Sequence, residues 1–218
     1  MVKNVVFTIK WLGHASFRII VNGFNIYVDP YEGTYVDKAD IILLSHEHFD
    51  HCDISKIEKI RKEETIIIAP STCLNRIKGK VKVLKAGEKI TINYYTIEAV
   101  QAYNIKRFRS PDAPFHPKDS GLGYLITASG KTIYYAGDTD FVQEMNKLKN
   151  VFLAILPTGG TYTMDNPEAA EATLAIKPQV AIPMHTLDSD PKQFKNLVEQ
   201  SSKIKVILLN QGEKYEFE

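Results

Sequence analysis

The stretch from Ser45 to His51 limits what this chain can fold into more than any other part of it. It reads Ser-His-Glu-His-Phe-Asp-His, so three of the six histidines and a carboxylate fall within six residues. The apolar run Ile41-Ile42-Leu43-Leu44 before it predicts a short buried strand. Asp53 after it is a good N-cap, and isoleucines follow at helical spacing as far as residue 60. The sequence therefore predicts a histidine-rich loop between a buried strand and a helix.

The spacing within this loop favours metal binding. Side chains two residues apart in an extended segment point the same way, so His46 and His48 can chelate one ion together. Asp50 and His51, where the chain turns toward the helix, can reach a second ion. Imidazole nitrogen and carboxylate oxygen suit borderline divalent ions, with zinc favoured and manganese or iron as alternatives. The alternative reading is a solvated loop that is merely rich in histidine, which the concentration of half the histidines in one place disfavours.

The pattern His-x-His-x-Asp-His after a buried strand resembles the metallo-β-lactamase superfamily. Further motifs of that family occur in the expected order: Asp29 ends an early strand, Asp138 ends a later one, and His185 follows a late strand. The stretches 11–16 and 156–164 resemble its small single-domain prokaryotic branch, to which ascorbate-phosphate lactonases are related. The resemblance implies an α+β fold, an αββα sandwich of two mixed β-sheets flanked by helices, in a single domain over residues 1–218.

The resemblance also implies two divalent metal ions and a role for each signpost residue. Asp138 would bridge the ions, although it could instead cap the following turn with Thr139. His185 would join Asp50 and His51 at the second ion; the alternative is a core histidine bonded to a backbone carbonyl. Asp29 would accept hydrogen bonds that fix the ligand loop, unless it serves only an Asp-Pro turn.

The third ligand of the first ion is less clearly indicated. The family usually has a histidine soon after the strand that here is followed by Tyr103-Asn104. His116 comes later, in a loop long enough to return it to the site, and is the favoured ligand. The amide oxygen of Asn104, or water, is the alternative.

Two ions would share a water and make hydroxide available at neutral pH, with Asp50 orienting it. The expected reaction is hydrolysis of an ester, lactone or phosphoester bond in a small-molecule substrate. His14 follows a glycine at a strand break and is either a proton donor or substrate contact, or a packing residue. The side chains of the loop 103–120 have a net charge of +2, from four basic and two acidic residues. The loop is either a surface loop or a flap that contacts the substrate. A substrate-contacting flap with this charge would favour an anionic substrate.

Composition excludes several other classes. A formal net charge of +1 provides no field to recruit nucleic acid or membrane. Two cysteines, Cys52 and Cys73, argue against a disulfide framework and for a reducing compartment, with Cys52 expected to be a small buried residue rather than a soft ligand. No stretch has the length of a membrane span or a signal peptide, so a cytoplasmic location is expected. Homo-oligomerisation stays open.

Two rival classes remain on the same scaffold. A di-iron redox protein would typically carry Glu where this chain has His48, together with an attached flavin domain. A metal-binding regulatory module would hold ions without turnover. Among hydrolases, a nuclease finds no support in the charge.

The rest of the chain predicts strands separated by a few helices. Asn22-Gly23 indicates a hairpin turn, and residues 103–120 form the longest stretch without predicted structure. Four helices are predicted. The first spans about 54–62, and the second is capped by Asp140 and has Phe141, Met145 and Leu148 on one face. The third opens with Asn166-Pro167 and runs to about 176, and the fourth opens with Asp190-Pro191 and has Phe194, Leu197 and Val198 inward.

Overall fold

The computed structural model describes residues 5–218, which divide into two compact units. The first contains the residues up to 84 together with 209–218, and the second contains residues 85–208. Each unit holds one seven-stranded mixed sheet, and a two-stranded hairpin accompanies the second. Three α-helices complete the α+β architecture that the sequence predicted.

The sheet of the first unit combines a meander with parallel strands. Its strand order is β16-β1-β2-β3-β4-β5-β6, antiparallel from β16 to β3 and parallel from β3 to β6. Asn22 and Gly23 both have positive φ, as a two-residue hairpin turn requires, and the predicted hairpin is present. The strands are β1 Phe7–Gly13, β2 Ser16–Val21, β3 Phe24–Val28, β4 Ile41–Leu43, β5 Ile66–Ala69, β6 Val81–Val83 and β16 Lys214–Phe217.

The helix α1, Ile54–Ile60, follows the histidine loop as predicted and ends two residues early. The Asp53 carboxylate caps it by accepting from the backbone N–H groups of Ser55 and Lys56. Ile57 and Ile60 are buried in the unit's core, together with both free cysteines, Cys52 and Cys73. Cys52 is therefore a buried core residue.

The sheet of the second unit has the order β15-β14-β13-β12-β11-β8-β7. Strands β12 to β15 are parallel neighbours, so their carboxyl ends lie along one edge. The strands are β7 Lys89–Ile92, β8 Tyr95–Ala102, β11 Gly121–Ala128, β12 Lys131–Tyr135, β13 Val151–Pro157, β14 Val180–Met184 and β15 Lys205–Val206; the separate hairpin consists of β9 Phe108–Ser110 and β10 Ala113–Pro114.

Two helices pack on this second sheet. The helix α2, Asn166–Ile176, is capped by Asp165 rather than by the predicted Asn166. Asn166 lies one residue inside, where its amide donates to the Asp190 carbonyl. The helix α3, Pro191–Ser201, starts after Asp190 as predicted and buries Phe194 and Val198. None of the helices formed by residues 5–218 has the length and apolar character that a transmembrane span requires.

The predicted helix after Asp140 is wrong. The structure has only a 3-10 turn there, Gln143–Lys147. The Asp140 carboxylate does not cap it, because three backbone N–H groups of residues 105–107 donate to that carboxylate instead. The backbone N–H of the following residue, Phe141, donates to the Glu168 carboxylate.

Candidate metal centre

The histidine loop connects β4 to α1 in the first unit. His46 Nε2 lies 3.0 Å from His48 Nδ1, as expected for side chains two residues apart on one side of an extended segment. Phe49 points away and is 65% exposed. The loop closes where the backbone N–H groups of His51 and Cys52 donate to the His48 carbonyl. The arrangement therefore presents two imidazoles together at the start of the loop.

Asp29 lies beneath this loop. It follows β3, the parallel neighbour of β4, so its carboxylate meets the residues that follow β4. It accepts from the Ser45 backbone N–H (2.7 Å), the Ser45 hydroxyl (2.5 Å) and His51 Nδ1 (2.7 Å). Asp29 is fully buried and has a φ of 43°, a conformation that aspartate tolerates better than most residues. A buried carboxylate thus holds both ends of the loop.

These hydrogen bonds fix the tautomers of two histidines. A carboxylate only accepts, so a neutral His51 carries its proton on Nδ1 and its lone pair on Nε2. The Ser45 hydroxyl donates to Asp29 and therefore accepts from His46 Nδ1 at 2.9 Å. His46 consequently also has its lone pair on Nε2. This is the protonation that a metal-ligating imidazole requires.

Asp50 lies next to two other imidazoles of the same unit. Its Oδ2 is 3.1 Å from His14 Nε2 and 3.9 Å from His51 Nε2. His14 has a φ of 49°, and its ring packs edge-on against His51 at 5.6 Å between centroids. His14 therefore contacts the aspartate that the sequence assigns to the second ion.

In the second unit, two histidines meet one aspartate. Asp138 follows β12 and His185 follows β14, at the edge where these parallel strands end. Asp138 Oδ2 lies 3.2 Å from His185 Nε2 and 3.4 Å from His116 Nε2. All three side chains are at least 95% buried. His185 also has positive φ, 46°, as do His14 and Asp29, and such uncommon backbone conformations cluster at functional sites.

The side-chain oxygen of Asn104 is directed at His116. Its Oδ1 accepts from the backbone N–H and from Nδ1 of His116, both at 2.8 Å. Its amide nitrogen donates to Asp140 Oδ1 and to the Tyr162 carbonyl. Because both of these partners only accept, the amide orientation is determined and Oδ1 must face His116. The sequence had left Asn104 as the alternative to His116.

The loop 103–120 is held in place by buried charge. Arg107 Nη1 donates to Asp140 Oδ1 (2.6 Å) and to Glu168 Oε2 (2.5 Å), and its Nε donates to the Gly160 carbonyl. Its side chain is only 12% exposed. Burial alone would lower the pKa of Arg107, but the hydrogen bonds that it donates to Glu168 and Asp140 outweigh burial and raise this pKa. Arg107 is therefore an internal counter-ion.

Sequence reasoning missed the roles of Asp140 and Glu168. Asp140 stands two residues after Asp138 and was interpreted only as a helix cap. The available signal was the excess of positive charge in the loop, which a buried acidic partner elsewhere in the chain could neutralise. The positions of the two acids relative to that loop depend on the tertiary fold.

Comparisons with known proteins identify the family of this chain. Residues 8–185 match the family described as the beta-lactamase superfamily domain. A UPF0173 metal-dependent hydrolase of Thermococcus kodakarensis is 33% identical, covering 95% of this chain and 98% of the relative. A crystal structure from Parabacteroides distasonis is 37% identical with a TM-score of 0.87, covering 93% and 92% of the two chains.

A second solved structure, Igni18, a metallo hydrolase from Ignicoccus hospitalis, is 26% identical with a TM-score of 0.82 and covers 98% and 99% of the two chains. The metallo-β-lactamase fold and the small prokaryotic branch that the sequence indicated are thereby confirmed. The match covers most of the chain, and so do the relatives. The chain belongs to the beta-lactamase superfamily, among the UPF0173 metal-dependent hydrolases.

Proposed function

We propose that the chain acts as one domain and holds two divalent ions in a binuclear centre. The family match supports this, because it runs from residue 8 to residue 185 and so spans both ligand sets. The proposed ligands of the first ion are His46, His48 and His116; those of the second are Asp50, His51 and His185; and Asp138 would be shared by both ions.

The chemistry of the donors fits such ions. The single observation that carries the proposal is the convergence of His116 Nε2 and His185 Nε2 on Asp138 Oδ2 in a buried place. Buried imidazoles around a carboxylate match the nitrogen and oxygen ligands of zinc, with manganese and iron as alternatives. The tautomers of His46 and His51 support the same reading, since both carry the lone pair on Nε2.

The proposed reaction is hydrolysis of an ester, lactone or phosphoester bond in a small molecule. Divalent ions in such a centre lower the pKa of water and polarise the substrate oxygen. Asp50 orients the attacking water, and His14 holds Asp50 by donating from Nε2 to its Oδ2 at 3.1 Å. Asp29 keeps the ligand loop in register through Ser45 and His51.

The proposal specifies the type of bond that is hydrolysed and not the charge of the substrate. The preference for an anionic substrate came from the net positive charge of the loop 103–120. Arg107 is neutralised inside the fold by Asp140 and Glu168, and Lys118 lies 3.3 Å from Glu144. The charge of the loop thus gives little support to an anionic substrate.

The two buried free cysteines support a reducing, cytoplasmic location.

The test is a substrate screen on metal-stripped and metal-reconstituted protein. Lactones, phosphodiesters and carboxylic esters are offered with Zn²⁺, Mn²⁺ or Fe²⁺, and bound metal is counted by mass spectrometry. We expect turnover that disappears on stripping and in Asp138→Ala and His48→Ala, with circular dichroism unchanged. Asn146→Ala serves as control, since its amide bonds only locally, to the Gln143 carbonyl.

Four outcomes would overturn the proposal. Full activity in Asp138→Ala would remove the bridging role. An iron chromophore with oxygen consumption would indicate the di-iron redox class. Stoichiometric metal without turnover on any substrate class would indicate a metal-binding module, and preferential cleavage of RNA or DNA would indicate a nuclease.

A further inference from the structure

A continuous set of hydrogen bonds leads from a buried salt bridge to His116, all within the second unit. Arg107 donates to Asp140, Asp140 accepts from the Asn104 amide at 3.0 Å, and Asn104 accepts from His116 Nδ1 at 2.8 Å. Beyond the imidazole, His116 Nε2 faces Asp138 at 3.4 Å. Each of these side chains is at least 88% buried.

Every bond in this set has a determined direction. Asp140 can only accept, so Asn104 must present its NH₂ group to Asp140 and its oxygen to His116. An amide oxygen can only accept, so His116 must donate from Nδ1. The lone pair of the neutral imidazole is thereby placed on Nε2, the atom that faces Asp138.

Asp140 is itself held from several sides. Its Oδ2 accepts from the backbone N–H groups of Ile105 and Lys106 at 2.7 Å and of Arg107 at 3.3 Å. Its Oδ1 accepts from the Arg107 guanidinium and from Asn104. The carboxylate is therefore rigid, and it anchors both the start of the loop and the amide that holds His116.

We propose that Asp140 and Asn104 are positioning residues, which hold His116 in the Nδ1-protonated tautomer with Nε2 directed toward Asp138. The role of His116 as a metal ligand rests on the proposed function, whereas the tautomer does not. We call the set of hydrogen bonds from Arg107 through Asp140 and Asn104 to His116 the relay. Arg107 is the counter-ion of Asp140 within it. The relay differs from the one in the first unit, where the Asp29 carboxylate bonds directly to His51.

The interposed amide has a chemical consequence. A carboxylate bonded directly to an imidazole, as Asp29 is to His51, places negative charge against the ring. Asn104 is neutral, so it transmits orientation from Asp140 without placing negative charge against His116.

The first experiment reads the tautomer in the unmodified protein. Long-range ¹H–¹⁵N correlation NMR on metal-stripped protein at about pH 8, which is above the ordinary imidazole pKa of about 6.5, distinguishes Nδ1–H from Nε2–H. The His116 signals are assigned with His116→Gln. We expect His116 to be protonated on Nδ1; protonation on Nε2 would overturn the relay whether or not the protein is a hydrolase.

The second experiment measures zinc affinity by competition with a chelator. We expect Asn104→Ala to weaken binding by about 10- to 100-fold, the range for loss of such outer partners. Asp140→Asn should act in the same direction, and the matched control Asn146→Ala should not. In a His116→Ala background, Asn104→Ala should have no further effect, because the relay acts only through that imidazole.

The two experiments separate the relay from the proposed function. If the wild type binds zinc and Asn104→Ala binds it equally well, the relay is wrong and the metal centre stands. If the wild type never binds metal, the proposed function is wrong, and the NMR measurement still decides the relay. Should Asn104→Ala fail to fold, the wild-type tautomer and Asp140→Asn carry the test.

Discussion

Replacing Arg107 with methionine should destabilise the protein by removing the guanidinium that lies between two buried carboxylates. Arg107 Nη1 lies 2.6 Å from Asp140 Oδ1 and 2.5 Å from Glu168 Oε2. The Asp140 and Glu168 side chains are 0% and 6% exposed. Breaking a buried ion pair by removing one partner costs about 3–5 kcal/mol, because the remaining charge is left uncompensated.

Two features of the structure place the expected loss at the lower end of that range. Backbone N–H groups continue to bond Asp140 in the variant. Lys106 Nζ lies 3.0 Å from Glu168, although its side chain is 59% exposed and such a pair contributes at most about 1 kcal/mol. We therefore expect a loss of about 3 kcal/mol, which for a chain of this size lowers the melting temperature by about 6–12 °C.

Thermal and urea unfolding at pH 7 measure this loss. Arg109→Met is the matched control, since Arg109 is exposed on the same loop and its replacement should stay within about 0.5 kcal/mol. A loss below about 1 kcal/mol for Arg107→Met would refute the counter-ion role. Unchanged stability with a raised KM would instead indicate that Arg107 contacts the substrate.

Three further predictions concern pH, backbone packing and metal. Burial raises the pKa of Tyr35 to about 12, above the unfolded value of about 10, so this contribution to stability is complete below about pH 10 and is lost as the pH rises toward 12. It amounts to about 3 kcal/mol, and urea unfolding of Tyr35→Phe should lack this alkaline slope; an identical slope in the variant would contradict the assignment. A Cβ at Gly159 would overlap the His185 carbonyl oxygen, so chelator competition on Gly159→Ala should show zinc affinity reduced by about tenfold or more. The control is Gly130→Ala, where nothing lies within 4 Å of the added Cβ but φ is positive. It should lower the free energy of unfolding by about 1 kcal/mol and leave zinc affinity unchanged. Equal zinc affinities in the two variants would show that the backbone position of His185 is not critical. Zinc at about 1,000 times its Kd should stabilise the protein by about 4 kcal/mol relative to protein in EDTA, seen as a higher melting temperature, and an unchanged melting temperature would count against the metal centre.

Local chemistry explains why much of the first unit could be predicted from the sequence. Asn22-Gly23 determines its own hairpin because both residues tolerate positive φ. Asp53 caps α1 with its own side chain. The side-by-side placement of His46 and His48 follows from their spacing alone. Each of these features depends on residues at most a few positions apart.

Where the sequence reading failed, the deciding contact came from far along the chain. Asp140 resembles a helix cap in the sequence, but its carboxylate accepts hydrogen bonds from backbone N–H groups some 35 residues earlier in the chain. The positive loop looks free to bind a substrate until Glu168, 61 residues away, neutralises Arg107. Neither partner leaves a periodic signal, because a single buried ion pair imposes no repeat on the sequence.

For the candidate site, the sequence by itself determined which side chains are suited to bind metal, since imidazole and carboxylate chemistry is visible in residue types and spacing. Only the tertiary structure decided how those groups are oriented. The bonds from Asp29 to His51 and from Asn104 to His116 join residues 22 and 12 positions apart, and they set which ring nitrogen carries the proton. The physical reason is that a tautomer depends on the hydrogen-bond partner, and the partner is chosen by the fold.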